Sequence, residues 1–285
     1  MRPLHIAAAL LIAATWGLNF TMIRFGLDEF TPFAFASWRF VLGALPVLVL
    51  PRPAISWKAM VGTGMFLFGG QFVLLFMAME AGLPPGLSSV LIQLQGPLTL
   101  VLAALVLHER ATAGQWGGLA VAMIGVMLIG RSVEGSANLF AVAIALLSAL
   151  SWAAGNLFLR ETRVASILSV TAWASLVPAP ALILLSLWQD GVAATLAPVL
   201  APTWRGWLVL LYTVVPVMWL GYQLWGTLLR TYPAGKAGPV SLLVPVCALL
   251  FSALLTGESI DGLRLAGVIV VLGGVALGIF ASTRR

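Results

Sequence analysis

Charged side chains are scarce in this chain of 285 residues, making up 8% of it against 61% hydrophobic residues. Soluble domains carry roughly a quarter charged residues, so too few are present here to cover a water-exposed surface. Apolar runs close to the about 20 residues that cross a bilayer recur from Leu4 to Ala281. The sequence therefore excludes a soluble protein and predicts an integral membrane protein.

Cysteine and histidine are almost absent. Cys247 is the one cysteine, and His5 and His108 are the two histidines. This excludes a disulfide framework and argues against a metal site or a base beside a nucleophile. No nucleotide-binding motif is present. We expect no catalytic residue, metal or cofactor, although a membrane-embedded enzyme is the alternative from another functional class.

Apolar stretches between turn and charge clusters predict an all-α protein with ten transmembrane helices. No long hydrophilic region separates them, so no soluble domain is expected. The predicted spans are Leu4–Ile23, Pro32–Leu50, Met60–Met79, Gly86–Leu107, Trp116–Ile129, Leu139–Leu159, Ile167–Trp188, Trp207–Leu229, Pro239–Leu255 and Leu265–Ala281.

The net charge of +6 comes from basic residues spread between the spans, which does not indicate nucleic-acid binding. With a cytoplasmic N-terminus, ten basic residues lie inside and four outside, a clear positive-inside bias. Both termini are therefore predicted to be cytoplasmic. The inside set is Arg2, Arg52, Lys58, Arg110, Arg160, Arg163, Arg230, Lys236, Arg284 and Arg285, and the outside set is Arg24, Arg131, Arg205 and Arg264.

The chain contains an internal repeat. Trp16 and Asn19 in the first span are echoed by Trp152 and Asn156 in the sixth, with one residue inserted. A second echo relates the segment from Glu109 through Gly118 to Gly125 with the segment that is 149 residues further on, from Glu258 through Gly267 to Gly274. The repeats are residues 1–135 and 136–285.

Each repeat holds five spans, an odd number, so equivalent helices cross the membrane in opposite senses. Inverted repeats of this kind are typical of secondary transporters, in which two similar halves rock around a central site. The sequence therefore predicts two inverted five-helix repeats around a central cavity, and transport by alternating access. A channel is less favoured because no ring of charge or filter-like loop is present.

Eight short segments are distributed along the whole chain: Trp16 to Phe20, Arg39-Phe40, Gln93 to Gln95, Glu109-Arg110, Ser151 to Asn156, Gly221-Tyr222, Trp225 to Leu229 and Ser241 to Pro245. These segments resemble the EamA-type transporters of the drug/metabolite transporter superfamily. The resemblance is closest to bacterial exporters of cysteine and O-acetylserine and to aromatic amino acid exporters, which implies a ten-helix basket around a cavity.

Polar side chains in mid-span are the candidate substrate contacts, because they are costly in hydrocarbon and should face the bundle interior. Each Trp and Asn of the first echo share a helix face, where an amide beside an aromatic wall suits a zwitterion with an apolar side chain. The alternative is that the amides only join helices. The candidate substrate-binding set is Trp16, Asn19, Gln71, Gln93, Trp152, Asn156, Tyr222, Trp225 and Ser241.

Gln93 and Gln95 are two residues apart, so at most one of them lines a cavity unless Pro97 distorts the turn, and we favour Gln93. Pro97 and Pro245 each free a carbonyl one turn upstream, which water, a neighbouring helix or substrate must satisfy. They are candidate hinges, and a static kink is the alternative.

Arg39 is the basic residue that lies well inside a span. It is a candidate contact for a substrate carboxylate, and the alternatives are an interfacial anchor that snorkels or a structural pair with Glu80 or a helix C-terminus. No acid lies in mid-span, and Glu80, at the outer end of the third span, is the candidate for proton coupling. Facilitated diffusion is equally compatible with the sequence.

These features predict export of amino acids or related small metabolites across the bacterial cytoplasmic (inner) membrane, with the lipid bilayer and a small-molecule substrate as the partners. Export of drugs or nucleotide sugars is the alternative. Small-residue spacings in spans five and ten favour packing within a monomer, and a dimer stays open.

The predicted topology can be tested by cysteine labelling. Cysteines placed at Asp28 and Asp190 should react with a membrane-impermeant thiol reagent added outside intact cells, and those at Lys58 and Arg163 should not. Labelling of both sets from the same side would overturn the inverted arrangement.

Overall fold

The computed structural model describes residues 2–108, 112–132, 136–159, 166–232, 240–259 and 261–282, and all of its regular structure is helical. An all-helical membrane protein is what the sequence predicted, and this is confirmed. Several residues used in the sequence arguments lie outside the described residues. They are Glu109, Arg110, Arg160, Arg163, Lys236, Pro239, Arg284 and Arg285.

The helices follow one another with short connections. In the first half they are α1 (Pro3–Gly26), α2 (Pro32–Ala44), α3 (Trp57–Gly62), α4 (Gln71–Glu80), α5 (Pro85–Ile92), α6 (Gln95–Val106) and α7 (Ala113–Ser132). In the second half they are α8 (Ser136–Leu159), α9 (Ile167–Ser175), α10 (Pro178–Gln189), α11 (Gly191–Leu200), α12 (Trp204–Tyr212), α13 (Tyr222–Thr231), α14 (Leu243–Thr256) and α15 (Gly262–Ser282).

Every predicted span overlaps a described helix, but helix length alone does not establish ten crossings. Within the described residues, seven helical stretches are long and apolar enough to cross a bilayer, and four apolar helices are shorter. One of the short helices, α11, was not predicted. It begins directly after α10 because Gly191 adopts a positive φ of 86°, which turns the chain sharply.

Hydroxyl side chains define several helix starts. Thr31, Ser56, Ser166 and Thr203 precede α2, α3, α9 and α12, and each accepts a hydrogen bond from a backbone N–H three residues later. Such caps satisfy N–H groups that have no partner within the helix, a requirement that is strict where water is scarce. These caps therefore fix the residue at which each of the four helices begins.

Two transmembrane stretches contain a π-helical segment. Thr63–Gly70 joins α3 to α4, and Thr213–Gly221 joins α12 to α13. The wider turn displaces backbone carbonyls, and side chains from other helices donate to them: Ser151 Oγ to Phe66 O at 2.8 Å and Trp16 Nε1 to Val217 O at 3.3 Å. Segments of this kind are frequent at functional sites.

Helices α7 and α15 pack closely through glycines. A Cβ added at Gly118 would lie 2.6 Å from the carbonyl oxygen of Gly274, and one added at Gly125 would lie 2.7 Å from that of Gly267. Since both backbones approach through these four positions, the small-residue faces of spans five and ten are used within one chain, as the sequence analysis favoured.

Enlarging one of these glycines should destabilise the fold. Gly125→Leu would force side-chain atoms into the backbone of α15, where even a Cβ would lie 2.5 Å from Val271 N. We expect a loss of about 1–3 kcal/mol, seen as a lower melting temperature of the purified protein. Gly117→Leu is the matched control, since no described atom lies within 4 Å of a Cβ there. Equal melting of the two variants would contradict this packing.

Candidate functional site

A cavity of about 320 Å³ lies between the helices, and residues from both halves of the chain line it. Its walls come from α1, the Trp57–Glu80 stretch, α5, α6, α8, α9, the Trp204–Thr231 stretch, α14 and the residues just before α14. The volume is within the about 300–1,000 Å³ typical of small-molecule sites. Within the described part of the chain, none of the residues lining this cavity is charged.

The structure brings all nine candidate substrate-binding residues to this cavity. Arg39, Glu80, Pro97 and Pro245 do not line it. The nine are Trp16, Asn19, Gln71, Gln93, Trp152, Asn156, Tyr222, Trp225 and Ser241.

One wall of the cavity is aromatic. The ring of Trp16 lies 5.4 Å from that of Tyr222 and 5.8 Å from that of Trp225, measured between centroids, and Phe68 meets Tyr222 edge-on at 5.9 Å. Gly221 allows this arrangement, because a Cβ at that position would lie 2.5 Å from Trp16 Nε1. The wall offers ring faces to apolar groups and to cations.

Gln93 and Gln95 both line the cavity, although a regular helix would turn them apart. The chain is not a regular helix there, since α5 ends at Ile92 and α6 begins at Gln95. Pro97 lies in the first turn of α6, where its missing N–H costs little. The distortion that the sequence analysis allowed for therefore exists, and it adds Gln95 to the site.

The carbonyls that the prolines leave free have partners. Gln93 O accepts from Gly96 N at 3.2 Å, within the turn before Pro97. Ser241 O, one turn before Pro245, accepts from Gln93 Nε2 at 2.7 Å. Gln93 thus joins the end of α5 to the start of α14 while it lines the cavity. The hinge role of Pro97 and Pro245 stays a prediction.

The two repeat-related asparagines are in different surroundings. Asn156 Nδ2 donates to Gln95 Oε1 at 2.7 Å and to Thr99 Oγ1 at 3.0 Å, which joins α8 to α6. The side chain of Asn19 makes no such bond, and its Oδ1 is buried without a donor among the described residues. Asn156 therefore acts as a helix-joining amide, whereas Asn19 retains unused hydrogen-bonding capacity beside the cavity.

Other cavity-lining polar residues were not predicted. They are Thr63 and Thr171, which are almost fully buried. Thr63 Oγ1 has no hydrogen-bond partner among the described residues, and the same holds for Oε1 of the predicted residue Gln71. In the sequence each threonine is an isolated hydroxyl residue in an apolar run. This is a weak indication of a binding site, because a threonine hydroxyl can donate a hydrogen bond to a carbonyl of its own helix. Their position in the cavity depends on helix packing.

Arg39 is fully buried, with none of its side chain exposed, so the interpretation as a snorkelling interfacial anchor is wrong. Its guanidinium carbon lies 3.8 Å from the ring centroid of Phe72. No ion pair with Glu80 forms, and within the described part of the chain all three guanidinium nitrogens lack hydrogen-bond partners.

Toward Glu80, the cavity residue Phe72 packs against fully buried phenylalanines that do not line the cavity, and we call this side the closed end. Phe72 contacts Phe40 and Phe76, with centroids 5.8 and 5.9 Å apart, and Phe76 stacks on Phe35 at 4.7 Å. At the other end the cavity reaches the helix ends at Leu159 and Ile167. Glu80 is exposed at the end of α4 and lies outside the cavity.

Comparison with known proteins relates the chain to membrane transporters. The model of the EamA-like transporter family matches residues 4–131 and again residues 139–280. A Salmonella typhimurium protein named probable amino-acid metabolite efflux pump is 35% identical, over 95% of this chain and 93% of its own. The Escherichia coli protein of the same name is 34% identical over the same shares.

More distant similarity covers the whole chain as well. An uncharacterised transporter of Archaeoglobus fulgidus is 28% identical over 95% of both chains. A crystal structure of another protein matches with a TM-score of 0.59 and 19% identity, over 97% of this chain and 99% of that one. At this identity the crystal structure supports the fold alone.

The difference between the two asparagines leads to a prediction. Asn156→Ala should lower protein stability by about 1 kcal/mol, because it leaves Gln95 Oε1 without its donor. Asn19→Ala should cost less stability and should lower transport, because its amide is available to a ligand. Melting temperature in detergent and transport rate, measured on both variants, test this. Equal losses of melting temperature with unchanged substrate preference would contradict it.

Proposed function

This chain belongs to the EamA-like transporter family and is a membrane exporter of small metabolites rather than an enzyme, and we propose that it exports amino acids by alternating access. The observation that carries the proposal is the cavity itself. It collects the scattered mid-span polar residues of both halves, Asn19 and Gln71 from one and Asn156 and Tyr222 from the other, into one site of metabolite size.

The chemistry of the cavity supports an amino acid over the alternatives. Nucleotide sugars carry phosphates, which need basic partners, and cationic drugs are commonly matched by an acid. The described lining has neither. An amino acid is a zwitterion of low net charge, so amides, hydroxyls and aromatic faces can hold it. The names of the Salmonella typhimurium and Escherichia coli relatives point to the same substrate class.

Two inverted five-helix repeats, and hence ten crossings, are supported by contacts that recur when the halves are exchanged. The glycine pair Gly118 and Gly274 becomes Gly267 and Gly125 under the 149-residue offset, and both pairs are in contact. The π-helical segments, which begin at Thr63 and Thr213, and the breaks before Pro97 and Pro245 recur within one residue of the same offset. The family model also matches the chain twice, once in each half.

Two tryptophans, one on α2 and one on α9, make similar contacts from each half of the chain to the other. Trp38 Nε1 donates to Thr195 O at 2.7 Å, and Trp173 Nε1 donates to Leu50 O at 3.1 Å. Each indole therefore holds a segment of the other repeat. Because these contacts and the α7–α15 glycines are used within one chain, we propose a monomer.

The positive-inside bias supports an inner-membrane protein with both termini in the cytoplasm. In that orientation the helix ends at Leu159 and Ile167, which the cavity reaches, are cytoplasmic, and the phenylalanine stack lies on the outer side. The described conformation would accept substrate from the cytoplasm, as an exporter requires. Glu80 is our candidate for proton coupling, and its position outside the cavity means that it would act on helix ends rather than on substrate.

Transport in proteoliposomes tests the proposal. Labelled amino acids should exchange by counterflow in a panel assayed with and without a pH gradient, and a dependence on the gradient would indicate proton coupling. Trp16→Ala and Trp225→Ala should each lower transport about tenfold, because a lost aromatic contact is worth up to about 1.5 kcal/mol.

The matched control is Trp188→Ala, since Trp188 is 81% exposed. It should transport as the wild type does. If no amino acid moved while nucleotide sugars or cationic compounds did, the substrate assignment would fall and the transporter assignment would stand.

A further inference from the structure

Arg39 is a buried cation without a partner. Its side chain has no exposed surface, and its Nε and both terminal nitrogens lack acceptors among the described residues. A guanidinium removed from water normally keeps a carboxylate or several carbonyls as partners, because its desolvation is otherwise uncompensated. The contact with the Phe72 ring offsets only part of that cost.

The guanidinium lies next to the cavity. The guanidinium carbon lies 3.8 Å from the ring centroid of Phe72, and Phe72 also lines the cavity, so one side chain touches both. A rotation of the Phe72 side chain would therefore expose a positive charge to a cavity whose described lining has none.

We propose that Arg39 is a carboxylate subsite that Phe72 covers in the described conformation and uncovers when substrate moves toward the closed end. This inference rests on the proposed function and names the group that the substrate must carry. Guanidinium binds carboxylate in a bidentate manner, which would satisfy two of the three nitrogens that now lack partners. Amino acids would then be preferred over their amides and amines.

The same movement would connect binding to opening. Phe72 packs on Phe40 and Phe76, which lie at the closed end and do not line the cavity. Turning Phe72 away from Arg39 removes one ring from this stack. A carboxylate that takes the place of the ring on Arg39 would therefore favour the state in which the outer end is open, as export requires.

Charge-selective cysteine modification tests the subsite without knowledge of the substrate. Phe72→Cys is made in a Cys247→Ser background and treated with an anionic and a cationic methanethiosulfonate reagent of similar size. The positive charge of Arg39 should favour the anionic reagent, and Arg39→Gln should lower the anionic-to-cationic rate ratio about tenfold. Arg39→Lys keeps the charge and should keep most of the ratio.

Arg52→Gln is the matched control, because the Arg52 guanidinium also lies over an aromatic ring, 4.0 Å from the centroid of Trp57, but Arg52 is exposed. It should leave the ratio unchanged. An unchanged ratio in Arg39→Gln would overturn the subsite, as would failure of both reagents to modify Phe72→Cys. Melting curves confirm that each variant is folded.

A second measurement addresses the carboxylate. Phenylalanine and phenylalaninamide differ at that group alone, and each is tested as an inhibitor of amino-acid counterflow in the wild type and in Arg39→Gln. We expect the acid to inhibit more strongly in the wild type and the difference to shrink about tenfold in the variant. Equal inhibition by the two compounds in the wild type would overturn the subsite. Absence of any amino-acid transport would overturn the proposed function instead, and the reagent ratio would still decide the role of Arg39.

Discussion

The requirement that every backbone polar group find a partner inside the bilayer controls the shape of this protein. A regular helix meets the requirement by itself but cannot curve around a cavity. The two π-helical segments and the breaks before Pro97 and Pro245 depart from regular geometry, and except at Pro97, where Gly96 N donates locally, side chains from elsewhere in the fold supply the donors. Ser151, Trp16 and Gln93 donate to Phe66 O, Val217 O and Ser241 O. The hydrogen bonds that satisfy these departures therefore also bring the cavity walls together.

The described lining of the cavity includes polar oxygens that lack hydrogen-bond partners, and it includes no charged residue. Asn19, Gln71 and Thr63 each hold an oxygen that has no partner among the described residues, and all three line the cavity. A ligand with several donors would satisfy oxygens of this kind once their side chains turn toward it. Arg39, at the closed end, has the opposite requirement, because its nitrogens are donors that lack acceptors among the described residues. In the binding mode that we propose, a zwitterion would place its ammonium group toward the amides and its carboxylate toward the guanidinium.

The repeats are similar in backbone but differ in side-chain function. Asn156 is held by Gln95 and Thr99, whereas the equivalent Asn19 is not held. Trp16 belongs to an aromatic wall with Tyr222 and Trp225, and the equivalent Trp152 faces the same cavity without a described ring contact of that kind. Equivalent positions of the two halves thus differ, one being held by hydrogen bonds and the other keeping an unused amide. A transporter needs both, because the site must hold its shape and still bind.

The fold class and much of the candidate site could be predicted from the sequence. A polar residue inside a span is costly in hydrocarbon, so its presence indicates that it faces the interior of the bundle. Five of the candidate residues chosen on that ground all line one cavity, since burial in the bundle is the low-energy place for each of them, and they are Asn19, Gln71, Gln93, Asn156 and Tyr222. The tertiary structure alone decided the rest. A break between helices brought Gln95 and Gln93 to the same cavity. Arg39 is buried against Phe72 rather than placed at the membrane interface. Asn156 joins two helices by hydrogen bonds, whereas Asn19 has an amide oxygen without a donor among the described residues. The reason is physical: hydrophobicity decides which residues enter the membrane interior, whereas a hydrogen-bond partner on another helix is decided by how the helices pack.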